Sequence, residues 1–178
     1  MPGAEIDPLE LREVCGRFAT GVCVITSFGP EGPAGLTANA VTSLSLSPPL
    51  MIVCFDRSAR TLGAVEHSRL FGIHFLAHDQ EELAARFASK EAEELKFDGV
   101  PWSERSGVPA IDGCLALIVC KVTSLLPGGD HLIGVGEVVD LWTWTADGDP
   151  LVFYRGDYWA LGGREPAPPE VDEALEGP

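Results

Sequence analysis

The sequence predicts one mainly β domain (α+β), an antiparallel barrel covered by a few short helices. Three observations support this fold class. Six or seven segments with strand patterns follow one another in mostly local succession, turn residues separate them, and only a few short segments have helical spacing. We expect the domain to cover residues 1–163. The Pro- and Glu-rich residues 164–178 have little apolar surface to bury, so we expect a disordered tail there.

A helix is expected near the N-terminus. Asp7 is a favourable N-cap, and Pro8 suits the first helical position. The apolar residues that follow have the spacing of one buried helix face: Leu11, Val14, Cys15 and Phe18. We expect Gly21 to end this helix, a strand to cover 22–26, and the Gly- and Pro-rich turn over 29–33 to begin a hairpin.

The stretch over residues 35–62 is the centre of the predicted fold. Residues 42–47 alternate between apolar and polar side chains, which indicates a strand with one buried face. Residues 50–55 form a short apolar run, which is typical of a strand buried on both faces. Proline is tolerated in neither a central strand nor a helix interior, so Pro48–Pro49 predicts a corner between the two strands.

The second half of the chain continues the strand pattern. We expect a short helix over 62–66, a second helix that is capped by Asp79 and Glu82 and runs through Phe87, and a long surface loop over 96–113. The remaining strands are expected at residues 70–76, 114–126, 131–144 and 151–154.

The composition excludes several classes of function. A formal net charge of −15 argues against nucleic acid or an anionic membrane as the partner. The sequence has no run of about 18 apolar residues, so we expect no membrane span. The five cysteines are odd in number and lack CxxC spacing, and the histidines do not cluster with them. We therefore expect no metal site, mostly buried free thiols and a cytoplasmic protein.

Polar residues beside the central strands are candidates for a binding site. Buried hydroxyls and amides need partners, and a flat polar heterocycle with a phosphate tail could supply them. Solvated strand faces and turns are the alternative interpretation. The residues concerned are Thr37, Asn39, Thr42, Ser43, Ser45, Ser58 and Thr61.

Other candidate residues also have structural alternatives. His131 follows a turn and begins a strand, where it could be functional, structural or solvated. Arg86, Phe87 and Lys90 stand at a helix end, where cations complement the helix dipole or bind a phosphate. The aromatic and charged cluster at 154–159 could close a barrel end or border a ring-binding cleft. Structural roles are expected for the remaining histidines, which are His67, His74 and His78.

Four segments of the chain occur together in a known order. They are FATGV at 18–22, GLTANA with SLSL and PPL within 35–50, GDH with GEV within 129–138, and PLVFYRGDY at 150–158. No single segment is decisive, but at this spacing they resemble the flavin reductase-like family of FMN-binding split barrels. The resemblance covers roughly residues 7–162 and is closest to the small reductase components of two-component flavin-dependent monooxygenases.

The resemblance implies a split β-barrel and a set of residues around the flavin. Backbone N–H groups at residues 37–39 would lie along the polar edge of the isoalloxazine ring, and His131 would meet the nicotinamide. The other implied residues would line the ribityl-phosphate part, close over the phosphate or border the nicotinamide face. In chain order the set is Thr37, Ala38, Asn39, Ser43, Cys54, Asp56, Ser58, Thr61, Arg86, Phe87, Lys90, His131, Tyr154 and Arg155.

The resemblance also implies a function. The chain would be a homodimeric NAD(P)H:flavin oxidoreductase that moves a hydride from NADH or NADPH to FMN or FAD and supplies reduced flavin to a partner monooxygenase. Such a transfer needs stacking and orientation more than acid–base groups. The alternatives are a ferric or other acceptor reductase that uses bound flavin, and a flavin- or haem-binding split barrel without turnover. His131 discriminates between them, because a pure binding module needs no histidine facing the nicotinamide.

Overall fold

The fold is mainly antiparallel β, as the sequence predicts. The computed structural model describes residues 6–144 and 148–161. The predicted tail over 164–178 lies outside these residues, so the domain boundary at 163 stays a prediction. No helix within the described residues is long and apolar enough to cross a membrane.

The described residues contain four helices and twelve strands. The helices are α1 (Pro8–Cys15), α2 (Arg60–Ser68), α3 (Glu81–Ala88) and α4 (Glu93–Phe97). The strands are β1 (Thr20–Gly21), β2 (Cys23–Gly29), β3 (Gly32–Ala38), β4 (Val41–Leu46), β5 (Pro49–Asp56), β6 (Leu70–Phe75), β7 (Trp102–Arg105), β8 (Val108–Ile111), β9 (Ala116–Gly128), β10 (His131–Thr143), β11 (Leu151–Tyr154) and β12 (Asp157–Ala160).

Seven strands form one sheet in the order β3-β2-β6-β9-β10-β5-β4, and all of its neighbours are antiparallel. The two edge strands, β3 and β4, are consecutive in the chain, and only Asn39 and Ala40 separate them. A link of two residues spans roughly 10 Å at most. The sheet must therefore curl until its two edges approach each other, which is the barrel arrangement that the sequence predicts.

The barrel interior is filled mainly by aromatic and aliphatic side chains. The rings of Phe55 and Phe71 meet edge to face at 5.9 Å, and α2 adds Leu62 and Val65 to the same cluster. Strand β10 carries glycine where these rings approach it, because a Cβ at Gly136 would lie 2.5 Å from Cζ of Phe71. The missing side chain thus makes room for the aromatic core.

His74 has the structural role that was expected. It is fully buried, its Nδ1 lies 3.0 Å from the carbonyl oxygen of Val24, and its Nε2 accepts from the N–H of Ile111 at 3.0 Å. The ring therefore joins β2, β6 and β8. Burial lowers the pKa of His74 from 6.5 to about 4, and the hydrogen bond to Val24 opposes this shift only in part.

The predicted N-terminal helix exists, but two expectations about it are wrong. Asp7 caps it through a 2.8 Å hydrogen bond from the N–H of Leu9, as expected. The helix ends at Cys15 rather than Gly21, and residues 20–21 instead form β1 beside β11. Its apolar face is exposed within this chain, with Phe18 beyond it 76% exposed. Helical spacing shows that side chains share a face but not what covers that face.

The two central strands are less buried than predicted. Strand β4 is an edge strand with no buried residue, and Leu46 is 92% exposed. Strand β5 is buried on one face only, through Met51, Val53 and Phe55. The turn over 29–33 forms the β2–β3 hairpin as predicted. Edge position explains the exposure of β4, because a strand at the margin has neighbours on one side only.

The segment over 96–113 is not a surface loop. It contains the end of α4 and the β7–β8 hairpin, and all four residues of β8 are buried. Ser106 and Gly107 form the tight turn between β7 and β8, and both have positive φ. The predicted capping box is also absent, because α3 begins at Glu81 after an N-cap at Gln80 that makes no side-chain capping bond.

The buried imidazole of His74 predicts a pH-dependent loss of stability. The folded chain keeps this ring neutral, whereas the unfolded chain takes up a proton below pH 6.5. The free energy of unfolding should therefore fall by about 2 kcal/mol between pH 7.5 and pH 5.0, and the loss should level off near pH 4. Urea unfolding at the two pH values measures this change.

Two variants isolate the contribution of His74 from that of the carboxylates. His74→Gln should be less stable than the wild type at pH 7.5, and its free energy of unfolding should not show this fall of about 2 kcal/mol at pH 5.0. His67→Gln changes an exposed ring on α2 and should keep it. The same pH dependence in wild type and His74→Gln would contradict the assignment.

Candidate functional site

One cavity of about 500 Å³ lies where four parts of the barrel meet. They are the end of β3 with the link after it, the connection from β5 to α2, the segment from the end of α3 into α4, and the first residue of β10. Most of the residues that the sequence analysis singled out line this cavity. They are Thr37, Ala38, Asn39, Cys54, Asp56, Ser58, Thr61, Phe87, Lys90 and His131.

The β3 wall offers backbone groups rather than side chains. The hydroxyl of Thr37 donates to the carbonyl oxygen of Ala84 at 2.6 Å, so it docks α3 onto the strand. The amide of Asn39 donates to the hydroxyl of Thr20 at 3.2 Å. Strand β3 is a sheet edge, and the N–H and C=O of Gly35 point outward to side chains of α4. Because this orientation repeats every second residue, the N–H and C=O of Thr37 point outward as well.

The connection from β5 to α2 is a tight turn that Asp56 organises. Its carboxylate accepts from both the N–H and the hydroxyl of Ser58 at 2.7 Å, and these bonds, the hydroxyl first, lower the pKa of Asp56. The backbone of Arg57 donates to the carbonyl oxygen of Asp130 at 3.1 Å, and its Nε donates to that of Gly129 at 3.1 Å. The turn is thus tied to the β9–β10 turn, next to His131.

His131 reaches the cavity because β10 pairs with β5, which sets it opposite Asp56. It is the first residue of β10, and its side chain is 41% exposed. Nδ1 lies 2.7 Å from the carboxylate of Asp130, and the hydrogen bond with this ring lowers the pKa of Asp130. When Nδ1 carries the proton toward Asp130, Nε2 is left for another partner.

A charged cluster at the α4 end of the cavity was not predicted from the sequence. Glu93 accepts from Arg60 Nε and from Lys96 Nζ, both at 3.2 Å, and its second oxygen accepts from the N–H of Gly35 at 2.8 Å. All three charged side chains line the cavity. Arg60 lies between two predicted site residues, Ser58 and Thr61, which was its only signal in the sequence. Lys96 gave none, because it falls in the segment that we expected to be a loop.

Four predicted site residues lie elsewhere. Arg86 turns away and donates through Nη1 to the carbonyl oxygen of Asp98 at 2.6 Å. Ser43 lines a different groove, which β4 and β5 border. Tyr154 and Arg155 lie at the β11–β12 turn, where the guanidinium stacks 5.3 Å from the centre of the tyrosine ring and the N–H of Arg155 donates to Gly16. Arg86 and Phe87 are neighbours on α3, so their side chains project about 100° apart, and Phe87 lines the cavity whereas Arg86 does not.

The groove beside Ser43 is large and mostly apolar. It has a volume of about 1040 Å³ and is bordered by Cys15 at the end of α1, by Phe18 in the chain after it, and by β4 and β5. It also shares Asn39, Ala40 and Cys54 with the first cavity. The two spaces are therefore adjacent and have a common wall.

The cavity differs in charge from the rest of the chain. The chain has 27 acidic and 12 basic residues, but Arg60, Lys90 and Lys96 line the cavity against only two carboxylates. Those two, Asp56 and Glu93, are already hydrogen-bonded to protein donors. The site therefore suits an anionic group despite the acidic chain. Among the described residues, no group of three or more His, Cys, Asp or Glu could hold a metal ion.

Known proteins resemble this chain in sequence and in fold. A family model described as "Flavin reductase like domain" matches residues 15–162. The reductase subunit HsaB of a flavin-dependent monooxygenase from Mycobacterium tuberculosis is 39% identical over 175 residues, which are 97% of this chain and 92% of that protein. An NADH-dependent flavin reductase from a Rhodococcus species is 41% identical over 160 residues, 88% of each chain. The crystal structure of nitrilotriacetate monooxygenase component B from Mycobacterium thermoresistibile superposes with a TM-score of 0.84 at 36% identity, over 95% of this chain and 94% of that one.

Proposed function

The chain belongs to the flavin reductase like domain family, and we propose that it is an NAD(P)H:flavin oxidoreductase that supplies reduced flavin to a partner monooxygenase. The observation that carries this function is the placement of His131 beside a cavity with outward backbone groups on one wall and cations at its far end. The relatives named as a monooxygenase reductase subunit and an NADH-dependent flavin reductase support the same activity.

The residues present suit a flavin. The outward N–H and C=O of residue 37 match the alternating donors and acceptors of the isoalloxazine edge, and Ala38 leaves space beside them. The hydroxyls of Ser58 and Thr61 suit the ribityl chain, and Lys90 suits a phosphate. We therefore keep Thr37, Ala38, Asn39, Cys54, Asp56, Ser58, Thr61, Phe87 and Lys90 as the proposed flavin-binding residues.

The chemistry requires little from the protein. NAD(P)H gives a hydride to the flavin, which supplies the accepting ring, and one proton from solvent completes the two-electron reduction. The chain holds the two reactants in contact and excludes competing geometries. In this proposal the outward N–H of Thr37 stabilises negative charge on the ring, as an oriented donor does in a water-poor site.

His131 is proposed to orient the nicotinamide dinucleotide. Asp130 fixes the Nδ1 side of the ring, so the orientation of Nε2 is set before the donor arrives. A preset orientation avoids the entropy of ordering a free side chain during binding. Ser43, Tyr154 and Arg155 do not line the cavity of their own chain, so the proposal gives them no role there.

We further propose a homodimer. Several large apolar side chains are exposed on α1, after it and on β4, beside the apolar groove that shares a wall with the cavity. A second copy that covers this groove would remove them from water and complete the shared wall. A cytoplasmic location also fits the proposal, because three of the five thiols are buried and all five are free.

Purified protein is expected to oxidise NADH at a rate that saturates with added FMN or FAD, measured by absorbance at 340 nm under air. The preferred flavin is the one with the higher kcat/KM. If the protein binds flavin and leaves both NADH and NADPH untouched, the reductase function is wrong and the binding-module alternative takes its place. Turnover that requires a ferric acceptor would favour the acceptor-reductase alternative.

His131→Ala is expected to raise the KM for the nicotinamide donor about 3- to 10-fold while the Kd for flavin stays nearly unchanged. This range corresponds to the loss of one hydrogen bond. Steady-state kinetics and flavin fluorescence titration measure the two quantities. His67→Ala, which removes an exposed imidazole from α2 outside the cavity, is the matched control. Unchanged kinetics in His131→Ala would remove this residue from the site.

Phe18→Glu is expected to turn the dimer into a monomer at micromolar concentration, because it places a charge in the groove that the second copy would cover. Light scattering coupled to size-exclusion chromatography measures the mass. Leu95→Glu changes a side chain that is 57% exposed on α4 outside this groove, and it should leave the mass unchanged. A monomeric wild-type protein would contradict the homodimer.

A further inference from the structure

We propose that Lys96, in addition to Lys90, is a ligand for the terminal phosphate of the flavin, held in place by the cluster that it forms with Arg60 and Glu93. This inference rests on the proposed function, because it takes the cavity to be the flavin site. It differs from the expectation for this region, in which Arg86 would help to close over the phosphate.

Lys96 is a buried ammonium with an incomplete set of partners. The residue is 4% exposed and lines the cavity. Nζ donates to the carbonyl oxygen of Gly35 at 3.1 Å and to Glu93 at 3.2 Å. An ammonium group has three N–H donors. Within the described part of the chain, the third donor has no protein acceptor, and a cavity ligand is the remaining source of one.

The charge balance of the cluster favours an anion. Glu93 is the single carboxylate between two cations, so the three side chains together carry one net positive charge. Arg60 is half exposed, but the side chain of Lys96 is only 6% exposed, and a positive charge removed from water is costly unless counter-charges approach it. A phosphate in the cavity would supply that counter-charge and accept the third N–H as a charge-assisted hydrogen bond.

The cluster also fixes the backbone around it. Arg60 donates to the carbonyl oxygens of Lys90 and Glu91, so it holds the α3–α4 connection beside the cavity. Glu93 and Lys96 take up both the N–H and the C=O of Gly35. Gly35 also leaves room for the ring of Phe87, which would lie 2.5 Å from a Cβ at this position. The position of the ammonium is therefore set before any ligand binds.

The chain offers a matched control. It has three lysines, and Lys90 and Lys96 both line the cavity. The third, Lys121, is exposed on β9 and lines neither the cavity nor the groove. Lys96→Met and Lys121→Met remove the same charge and introduce the same side chain. A difference in ligand affinity between these variants is therefore due to the position of the lysine and not to the net charge of the protein.

The test compares FMN with riboflavin, which has the same ring and ribityl chain without the phosphate. Lys96→Met should weaken FMN binding about 10- to 100-fold, as expected for one charge-assisted hydrogen bond, and should leave riboflavin binding within about twofold. Lys121→Met should change neither Kd. Fluorescence titration without any nicotinamide measures all of these values, and circular dichroism establishes that each variant is folded.

If Lys96→Met weakens the binding of FMN and riboflavin equally, Lys96 has a structural role and the proposal is wrong. The proposal is also wrong if neither Kd changes. If Lys96→Met fails to fold, Lys96→Gln keeps an N–H for Gly35 and tests the same ratio. In the wild type, inorganic phosphate should compete with FMN and not with riboflavin. If the protein does not oxidise NADH, the proposed function is wrong, but the binding result for Lys96 still stands. If the wild type binds FMN and riboflavin equally well, only the proposal that Lys96 binds the phosphate is wrong.

Discussion

The outer edge of β3 is the constraint on which the site depends. An edge strand has N–H and C=O groups without a strand partner, and where such groups are covered they need other acceptors and donors. Gly35 meets this need through Glu93 and Lys96, and α3 docks nearby through the hydroxyl of Thr37. These bonds place both short helices against the barrel and leave a space beside the next outward residues of the strand. The cavity results from this incomplete cover of a sheet edge.

The second requirement is a locally positive site in an acidic protein. A net charge of −15 repels a phosphorylated ligand at long range, but within about 8 Å at physiological salt the nearby charges dominate. The barrel brings cations from α2, the α3–α4 connection and α4 into that range. Both carboxylates at the cavity are engaged by neighbouring donors, so they oppose an anion less than free carboxylates would. Association with such a ligand should therefore depend on short-range contacts more than on electrostatic steering.

Local features such as strands and helix caps could be predicted from the sequence. Contacts between distant parts of the chain could be predicted only from the resemblance to a known family. Period-two patterns located most strands, and the N-cap at Asp7 is confirmed, because such signals depend on neighbouring residues. Burial of the face with Phe18 failed, since spacing does not report what packs on a face. Lys96 was missed for a related reason: a five-residue helix and a short hairpin have too few turns to show a period. His131 could be placed beside residue 56 only through β5–β10 pairing, which no local pattern encodes.

Assembly of the cavity from distant parts of the chain links ligand binding to folding. Residues 37, 58, 96 and 131 meet only after strands far apart in sequence have paired, so the unfolded chain has no partial site. A ligand that binds only the folded state adds RT ln(1 + [L]/Kd) to its stability, which is about 2.7 kcal/mol at a concentration of 100 Kd. The concentration of free flavin in the cell would thus help to set the lifetime of this protein as well as its rate of turnover. A chain that has lost its flavin would then be degraded sooner than one that has kept it.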